Sequence, residues 1–343
     1  MTTVSDAERV VLRACRVGPD VGELQRSVLA ALRRVVTVDA AFVTAADPET
    51  LLFTGVHVEE PLAAVTAQFL ANEFGGGGVN TFAGLVGSAG HVCSLDEATG
   101  GDRMASPRYR EILRPIGLGD ELRAALVSAG QCWGYLCLHR ADGGLGFGPG
   151  EIEVVQRVVP HLAHALRQAV VLHAPAPEVV GRPGVVLLDE RHELVACTAE
   201  AEELLALLPD RSSRLPLPVS VYAVAAAVDV PGRSAGVRVR AGDGGWLYLH
   251  ASRTAAAAAP IAVVVERAEP RSTLGLLLAA HDLTSRELDV ARLVLRGEST
   301  RSIAAALHIS AYTVQDHLKS VFDKVGVRSR RDLVGRLLAG PPG

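Results

Sequence analysis

Lysine is nearly missing from this chain: of 343 residues only Lys319 and Lys324 are lysine, although Lys and Arg together number 34. A G-K-[ST] phosphate loop needs an ammonium group for the β- and γ-phosphates, so an ATP-driven regulator is excluded for the first 318 residues. A phosphorylated receiver domain, which also uses a lysine, is argued against on the same ground. Long apolar runs are lacking too. None reaches the roughly 18 residues of a membrane helix, and the longest, Ala255 to Val265, contains Pro260. The opening MTTVSDAERVVLRA has no uninterrupted apolar core of a signal peptide. Five cysteines without C-x-x-C spacing exclude a disulfide scaffold and point to free thiols in a reducing compartment. The expectation is a cytoplasmic protein with no membrane partner.

What is present is ordinary for globular domains: 49% hydrophobic and 21% charged residues, too apolar for disorder. The length implies two or three domains, each able to bury a core. A net charge of −4 is unevenly divided. From His281 onward ten Arg or Lys oppose seven Asp or Glu, a balance of +3, which leaves 24 against 31, or −7, ahead of it. An acidic front and a basic end suit a nucleic-acid reader at the C-terminus.

That end, Leu283 to Leu338, spells four short helices. Thr284 with Glu287 forms an S/T-x-x-E capping box, and Gly297 closes the first helix. Ser299 opens a second that ends near Leu307, and His308 and Ile309 make a tight turn. Ser310 caps a third that Gly326 stops, and Ser329 with Asp332 repeats the capping pattern for a fourth. On the third helix Val314, Leu318, Val321, Phe322 and Val325 fall at i, i+4, i+7, i+8 and i+11, a stripe to be buried. Tyr312, Gln315, Asp316, Lys319 and Ser320 are left on the outer face. Two helices joined by a short turn, the second with such a face, describe a helix-turn-helix. Both lysines of the chain lie on this helix, against a background that uses arginine everywhere else.

These residues resemble the LuxR-type (NarL/FixJ-like) helix-turn-helix domain along its whole length. The matching landmarks are Leu283-Thr284, Arg286-Glu287, Gly297, Ile303-Ala304, Leu307, Ser310, Thr313-Val314, His317, Lys324 and Gly326-Val327. The resemblance implies that the third helix enters the major groove of double-stranded DNA and the fourth supports a homodimer. Carried over by position, Gln315, Asp316 and Lys319 would read bases, and Ser310, Thr313, Ser320 and Lys324 would contact phosphates. Ser329, Leu333 and Leu337 would belong to the dimer helix. Asp316 would repel a phosphate, so it is expected to accept from a cytosine amino group or to orient Lys319. RNA polymerase becomes a partner if the protein activates.

Ahead of the reader, residues 7–36 carry helical periodicity, Ala41–Ala45 and Leu51–Val56 read as strands, and Pro61–Glu73 as a helix ending at a glycine run, 75–78. Leu122–Val127 and Cys132–His139 pair as a hairpin, followed by a long helix over Gly150–Leu172. This order resembles a GAF domain. After a proline-rich linker, 173–183, come strands at Gly184–Asp189 and Glu193–Cys197 and helices at Ala199–Leu208 and Val219–Val228. Strands at Gly236–Ala241, Trp246–Arg253 and Ile261–Arg267 complete the set. That pattern resembles a PAS-type domain. The stretch GGDRMASPRYREILRPIGLGDELRAAL with CWGYLCLHR further resembles a group of actinobacterial LuxR-type regulators. The expected fold class is multidomain α+β: GAF-like (1–172) and PAS-like (184–268) α/β sensor domains, a signalling segment (269–282), and an all-α four-helix reader (283–343).

Some residues could carry other chemistry. His161 and His164, three apart on the long helix, could ligate a metal, which leaves a metal-dependent sensor or enzyme-like front as the alternative function. His91 and Cys93 could pair a base with a nucleophile, though without a recognisable oxyanion loop. Strand alternation would put Trp133, Tyr135, Cys137 and His139 on one face and Cys132 on the other, so Trp133, Tyr135 and His139 are candidates to line a ligand pocket. The reading is a non-enzymatic, cofactor-free DNA-binding regulator that responds to a small-molecule ligand. The lack of tryptophan before Trp133 argues against the acyl-homoserine-lactone sensor of some LuxR-type relatives.

Overall fold

The computed structural model describes residues 4–15, 20–75, 78–172, 181–208, 214–228, 230, 235–258 and 260–338. Most of the expected linker (173–180), part of the glycine run (76–77) and one residue of the longest apolar run (259) lie outside them.

The front module begins with helices α1 (Val4–Ala14) and α2 (Val21–Leu32); the Asp20 carboxylate caps α2 by accepting the Glu23 N–H. Strands β1 (Ala40–Ala46) and β2 (Phe53–Val58) follow, then α3 (Thr66–Phe74), α4 (Phe82–Val86), β3 (Val92–Ser94) and α5 (Leu95–Thr99). The helix expected from Pro61 starts as a 3₁₀ turn, Leu62–Val65, before α3. Short 3₁₀ and π-helical turns over 103–116 lead to β4 (Leu118–Ser128), β5 (Gln131–Ala141) and the long α6 (Pro149–Leu172). The β4–β5 turn takes Ala129 and Gly130 through positive φ, 52° and 72°, the twist a tight hairpin prefers. The sheet runs β2-β1-β5-β4-β3, antiparallel throughout. On one face pack α1, α2 and α6 with Leu136, Leu138 and Trp133; on the other lie Phe42, Phe53, Phe69, Phe82 and Tyr135.

The middle module repeats this logic with β6 (Gly184–Leu188), β7 (Leu194–Cys197), α7 (Ala199–Leu205), α8 (Val219–Ala227), β8 (Gly236–Arg240), β9 (Trp246–Arg253) and β10 (Ile261–Arg267). Its sheet, β7-β6-β10-β9-β8, has the same relative strand order as the first. Every residue of α8 is buried. Such a helix needs cover on all sides, and α8 has it: its own sheet on one side, α3 and β2 of the front module on the other. The two modules are also pinned by an ion pair between Arg238 Nη2 and Asp47 Oδ1, 2.6 Å apart with both side chains buried.

The C-terminal unit comprises α9 (Pro270–Ala280), α10 (Ser285–Leu295), α11 (Thr300–Leu307), α12 (Ala311–Val325) and α13 (Arg330–Leu338). Pro270 sits in the first turn of α9, where its missing N–H costs nothing. No helix among the described residues is long and apolar enough to cross a membrane.

One expectation about β5 fails for a physical reason. Ala125 faces Tyr135 across the hairpin, but Val127 faces Cys132, so β5 holds one extra residue between them. This β-bulge inverts the alternation. Cys132 therefore joins Tyr135 and Cys137 in one core while Trp133 enters the opposite one. Gly134, beside the bulge, lets β1 approach closely, since a Cβ there would lie 2.2 Å from the Thr44 carbonyl oxygen. The proposed pocket of Trp133 with Tyr135 and His139 is thus divided between the two faces of the sheet.

Candidate nucleic-acid interface

The reader is built from its caps. Thr284 accepts the Glu287 N–H, and Glu287 Oε2 accepts the Thr284 N–H at 2.7 Å, closing the capping box of α10. Ser299 and Ser310 cap α11 and α12 by accepting the N–H of Ser302 and Thr313, and His308 in the left-handed region (φ 54°) makes the sharp turn between them. Gly326, φ 73°, ends α12. Ser329 Oγ accepts the Asp332 N–H at the start of α13.

Along α12 the apolar stripe goes inward. Val314, Leu318, Val321 and Val325 are buried with Ile303, Val290 and Leu333, and Phe322 packs at their edge. Gln315, Asp316 and Lys319 are exposed, as is Tyr312, whose 78% exposure is unusual for an aromatic ring. Ser310 and Thr313 stand at the exposed N-terminus of the same helix, their hydroxyls 2.8 Å apart. The three expected base readers and these two hydroxyls therefore share one outward surface.

Ser320 and Lys324, also expected as phosphate contacts, are instead bonded within the reader. Ser320 Oγ donates to Glu287 Oε1 at 2.5 Å and Lys324 Nζ donates to Oε2 at 2.7 Å. Burial alone would raise the Glu287 pKa, but bonds from Lys324, Ser320 and Thr284 outweigh it and hold it at about 2. One buried carboxylate thus caps α10 and ties it to α12. Glu287→Gln is expected to cost about 2 kcal/mol, the range for hydrogen bonds to a charged group, and thermal melting of the protein measures it. Because this pKa is depressed from 4.5 to about 2, the contribution is complete above pH 4.5 and is lost as pH falls toward 2. The variant should show a shallower acid limb; an unchanged limb would remove Glu287 from this role.

The leucines expected on the dimer helix point inward. Leu333 and Leu337 are buried in the reader's own core, at 0% and 4% exposure, because α13 packs against α9, α10 and α12. Ser329 acts as a cap.

The other candidate chemistries come apart. His161 pairs with Glu8 at 3.2 Å, while His164 lies 3.1 Å from Arg167, whose Nη1 bonds Asp282. The two imidazoles look to different partners, so no ligand set forms around them among the described residues. Cys93 is pushed up to about 11 by burial, so its thiol stays protonated, and His91 Nδ1 is engaged with the Leu85 carbonyl.

A group that sequence reasoning missed lies within the front module. Arg123 bonds Glu73 at 2.6 Å and faces Glu121 at 2.9 Å, and Arg108 pairs with Glu121 at 2.7 Å, all essentially buried. Arg123 also stacks over Phe82, 4.2 Å from its centroid. Cys137 and His139 complete the group, and with Glu121 their donor atoms lie within 4.8 Å of one another. A cation is unwelcome there, since two guanidiniums already hold the carboxylate. They pull the Glu121 pKa below the usual carboxylate range against the upward effect of burial. Burial, helped by the same arginines, lowers His139 to about 4 and keeps it neutral. The sequence signal was faint: charged residues at positions 120, 121 and 123 of a strand whose other residues are mostly apolar.

The capped four-helix unit with a polar outer face on α12 defines the C-terminal part as a helix-turn-helix domain. Residues 281–337 match the family model described as bacterial regulatory proteins, luxR family, and residues 20–166 match the GAF domain model. The chain is 39% identical over 56 residues to spore germination protein GerE of Bacillus subtilis, covering 16% of this chain and 76% of that protein. This chain belongs to the luxR family of bacterial regulatory proteins. It is 37% identical over 105 residues to the response regulator RamR of Streptomyces coelicolor, covering 29% of this chain and 52% of that one. It spans only 6% of the first mycobacterial regulators it matches. The crystal structure of Escherichia coli SdiA aligns over 97% of both chains at 12% identity and a TM-score of 0.35, too loose for residue-level comparison.

Proposed function

We propose that this protein is a one-component transcriptional regulator that reads double-stranded DNA with α12 and alters that reading when a small molecule binds its N-terminal modules. The observation that carries this reading is the division of α12: one side locked into a core, the other presenting Gln315, Asp316 and Lys319 to solvent. A rigid helix with exposed amide, carboxylate and ammonium groups fits a major groove, where each base pair offers a distinct donor and acceptor pattern. Ser310 and Thr313, at the N-terminus of the same helix, are placed for phosphate oxygens. The families matched are a DNA-reading and a sensory one, not enzymatic ones. The middle module, with its 2-1-5-4-3 sheet, serves as a second, PAS-like sensor. Two readers pair through the outer face of α13, where Arg331 and Arg336 are exposed, over half-sites about 34 Å apart. Contact with RNA polymerase follows if the protein activates.

The test is a salt titration of binding to the protein's own promoter DNA against random DNA. A specificity ratio of roughly 10³ or more with a negative log–log salt slope is expected. Lys319→Ala or Gln315→Ala should weaken specific binding by about 1–3 kcal/mol without lowering the melting temperature. If Lys319→Ala leaves sequence preference intact, α12 is not the reader in this register.

A further inference from the structure

Between the front and middle modules lies a cavity of about 220 Å³. The only two tryptophans of the chain both line it, Trp133 from β5 and Trp246 from β9. Trp133 reaches it because of the bulge in β5, and its indole N–H already donates to the Ser128 carbonyl at 3.1 Å. What its ring, 2% exposed, offers the cavity is a narrow apolar edge. Arg240 lies over the Trp246 ring, 5.3 Å from its centroid, and Leu166 and Val170 of α6 add aliphatic wall. The charges of the wall balance. Two carboxylates, Asp47 and Asp20, stand against two guanidiniums, Arg238 and Arg240; Asp47 is paired with Arg238 and Asp20 is an N-cap. A cavity of about 150 Å³ with an apolar lining is enough for benzene, so this one has room for a ring and a substituent or for two fused rings. Rings stack well on indole surfaces, and a wall of zero net charge favours an uncharged guest.

The cavity also touches the output path. Leu276 of α9 lines it and packs with α6 in the front module's core, whereas Leu278, two residues on, is buried in the reader's core. The same helix therefore feels both the cavity and the DNA-binding unit.

We infer that this inter-module cavity is a binding site for an uncharged planar aromatic molecule of one or two rings, and that its occupancy is passed to the reader through α9. The second half rests on the DNA-reading function proposed above. The first does not.

The test uses the full-length protein labelled with 5-fluorotryptophan, which gives two fluorine resonances assigned by Trp133→Phe and Trp246→Phe. 2-Naphthol and phenol are the probes, with cyclohexanol as a saturated control and 2-naphthoate as an anionic one. Both resonances should shift together and saturably with 2-naphthol, isothermal titration should give one site per chain, and cyclohexanol should bind at least tenfold more weakly. Val170→Phe, which fills the cavity from a half-buried position, should weaken 2-naphthol at least tenfold while melting as the parent does. Unmoved resonances, a shift in only one of them, or unchanged affinity in Val170→Phe would overturn the site. Preferential binding of 2-naphthoate would overturn the uncharged class. Promoter binding is then compared with and without saturating 2-naphthol: a change of fivefold or more is expected, and equal affinities would overturn the coupling through α9. Loss of the DNA-reading proposal would look different, as ligand-free protein that prefers no DNA while the fluorine shifts persist.

Discussion

Val314→Asp is expected to abolish DNA binding by unfolding the reader. Val314 is fully buried, one turn into α12, among Ile303, Val290 and Leu318. A carboxylate there would lie among apolar side chains, and Lys324 of the same helix is already paired with Glu287. Burying an unpaired charge costs several kcal/mol, a large part of the 5–15 kcal/mol that holds a typical domain together. Two measurements check it: circular dichroism should lose a cooperative helical transition, and promoter affinity should fall to the non-specific level. The front and middle modules, whose cores contain other residues, should still melt cooperatively. A Val314→Asp protein that keeps its specific DNA affinity would mean that α12 is not packed through this stripe. Val314→Leu, a modest overpacking, should cost far less.

Arg123→Ala should be the most damaging single change in the front module. The guanidinium lies between Glu73 and Glu121 and over Phe82, fully buried. Its loss leaves two carboxylates in a low-dielectric core with only Arg108 to answer them, and breaking a buried pair in this way costs about 3–5 kcal/mol. The same cluster sets a pH dependence. Burial and the two arginines depress His139 from 6.5 to about 4, so the unfolded chain takes up a proton over that interval that the folded chain refuses. The stability tied to this imidazole is complete above pH 6.5 and is lost as pH falls toward 4. Equilibrium urea unfolding from pH 8 to pH 4 reads both effects. The midpoint should drop across this window in the parent protein, and His139→Gln should flatten the drop. A parent midpoint that stays level from pH 7 to pH 4.5 would contradict a buried neutral His139.

The reader's helices were legible because their signals are local. A cap, a stripe at i, i+4 and i+7, and a glycine stop all act within one or two turns, so Thr284, Ser299, Ser310 and Gly326 mark boundaries that the structure keeps. The strands of both sheets other than β3 were legible for the same reason, since period-two alternation bounded by turn residues needs no distant partner; β3, three residues long, is too short to show it. The errors share a different cause. Ser320 and Lys324 look like outward polar residues on a helical wheel, yet Glu287, more than thirty positions earlier, draws both inward. Leu333 and Leu337 could have met a second copy of the chain, but α9 and α10 already cover them.

By itself, then, the amino-acid order determined most of the longer helices and strands, that the last of them form a helix-turn-helix of the luxR family, and which face of α12 is left for a partner. Tertiary structure alone decided where charges and rings meet. Glu73 reaches Arg123 across fifty positions, a one-residue bulge sends Trp133 to the opposite face from Tyr135, and Trp133 and Trp246 come to line one cavity from two modules. The physical reason is range. Backbone hydrogen bonding and amphipathic periodicity are settled among neighbours in sequence, whereas ion pairing, ring stacking and cavities depend on which surfaces are pressed together once those elements pack.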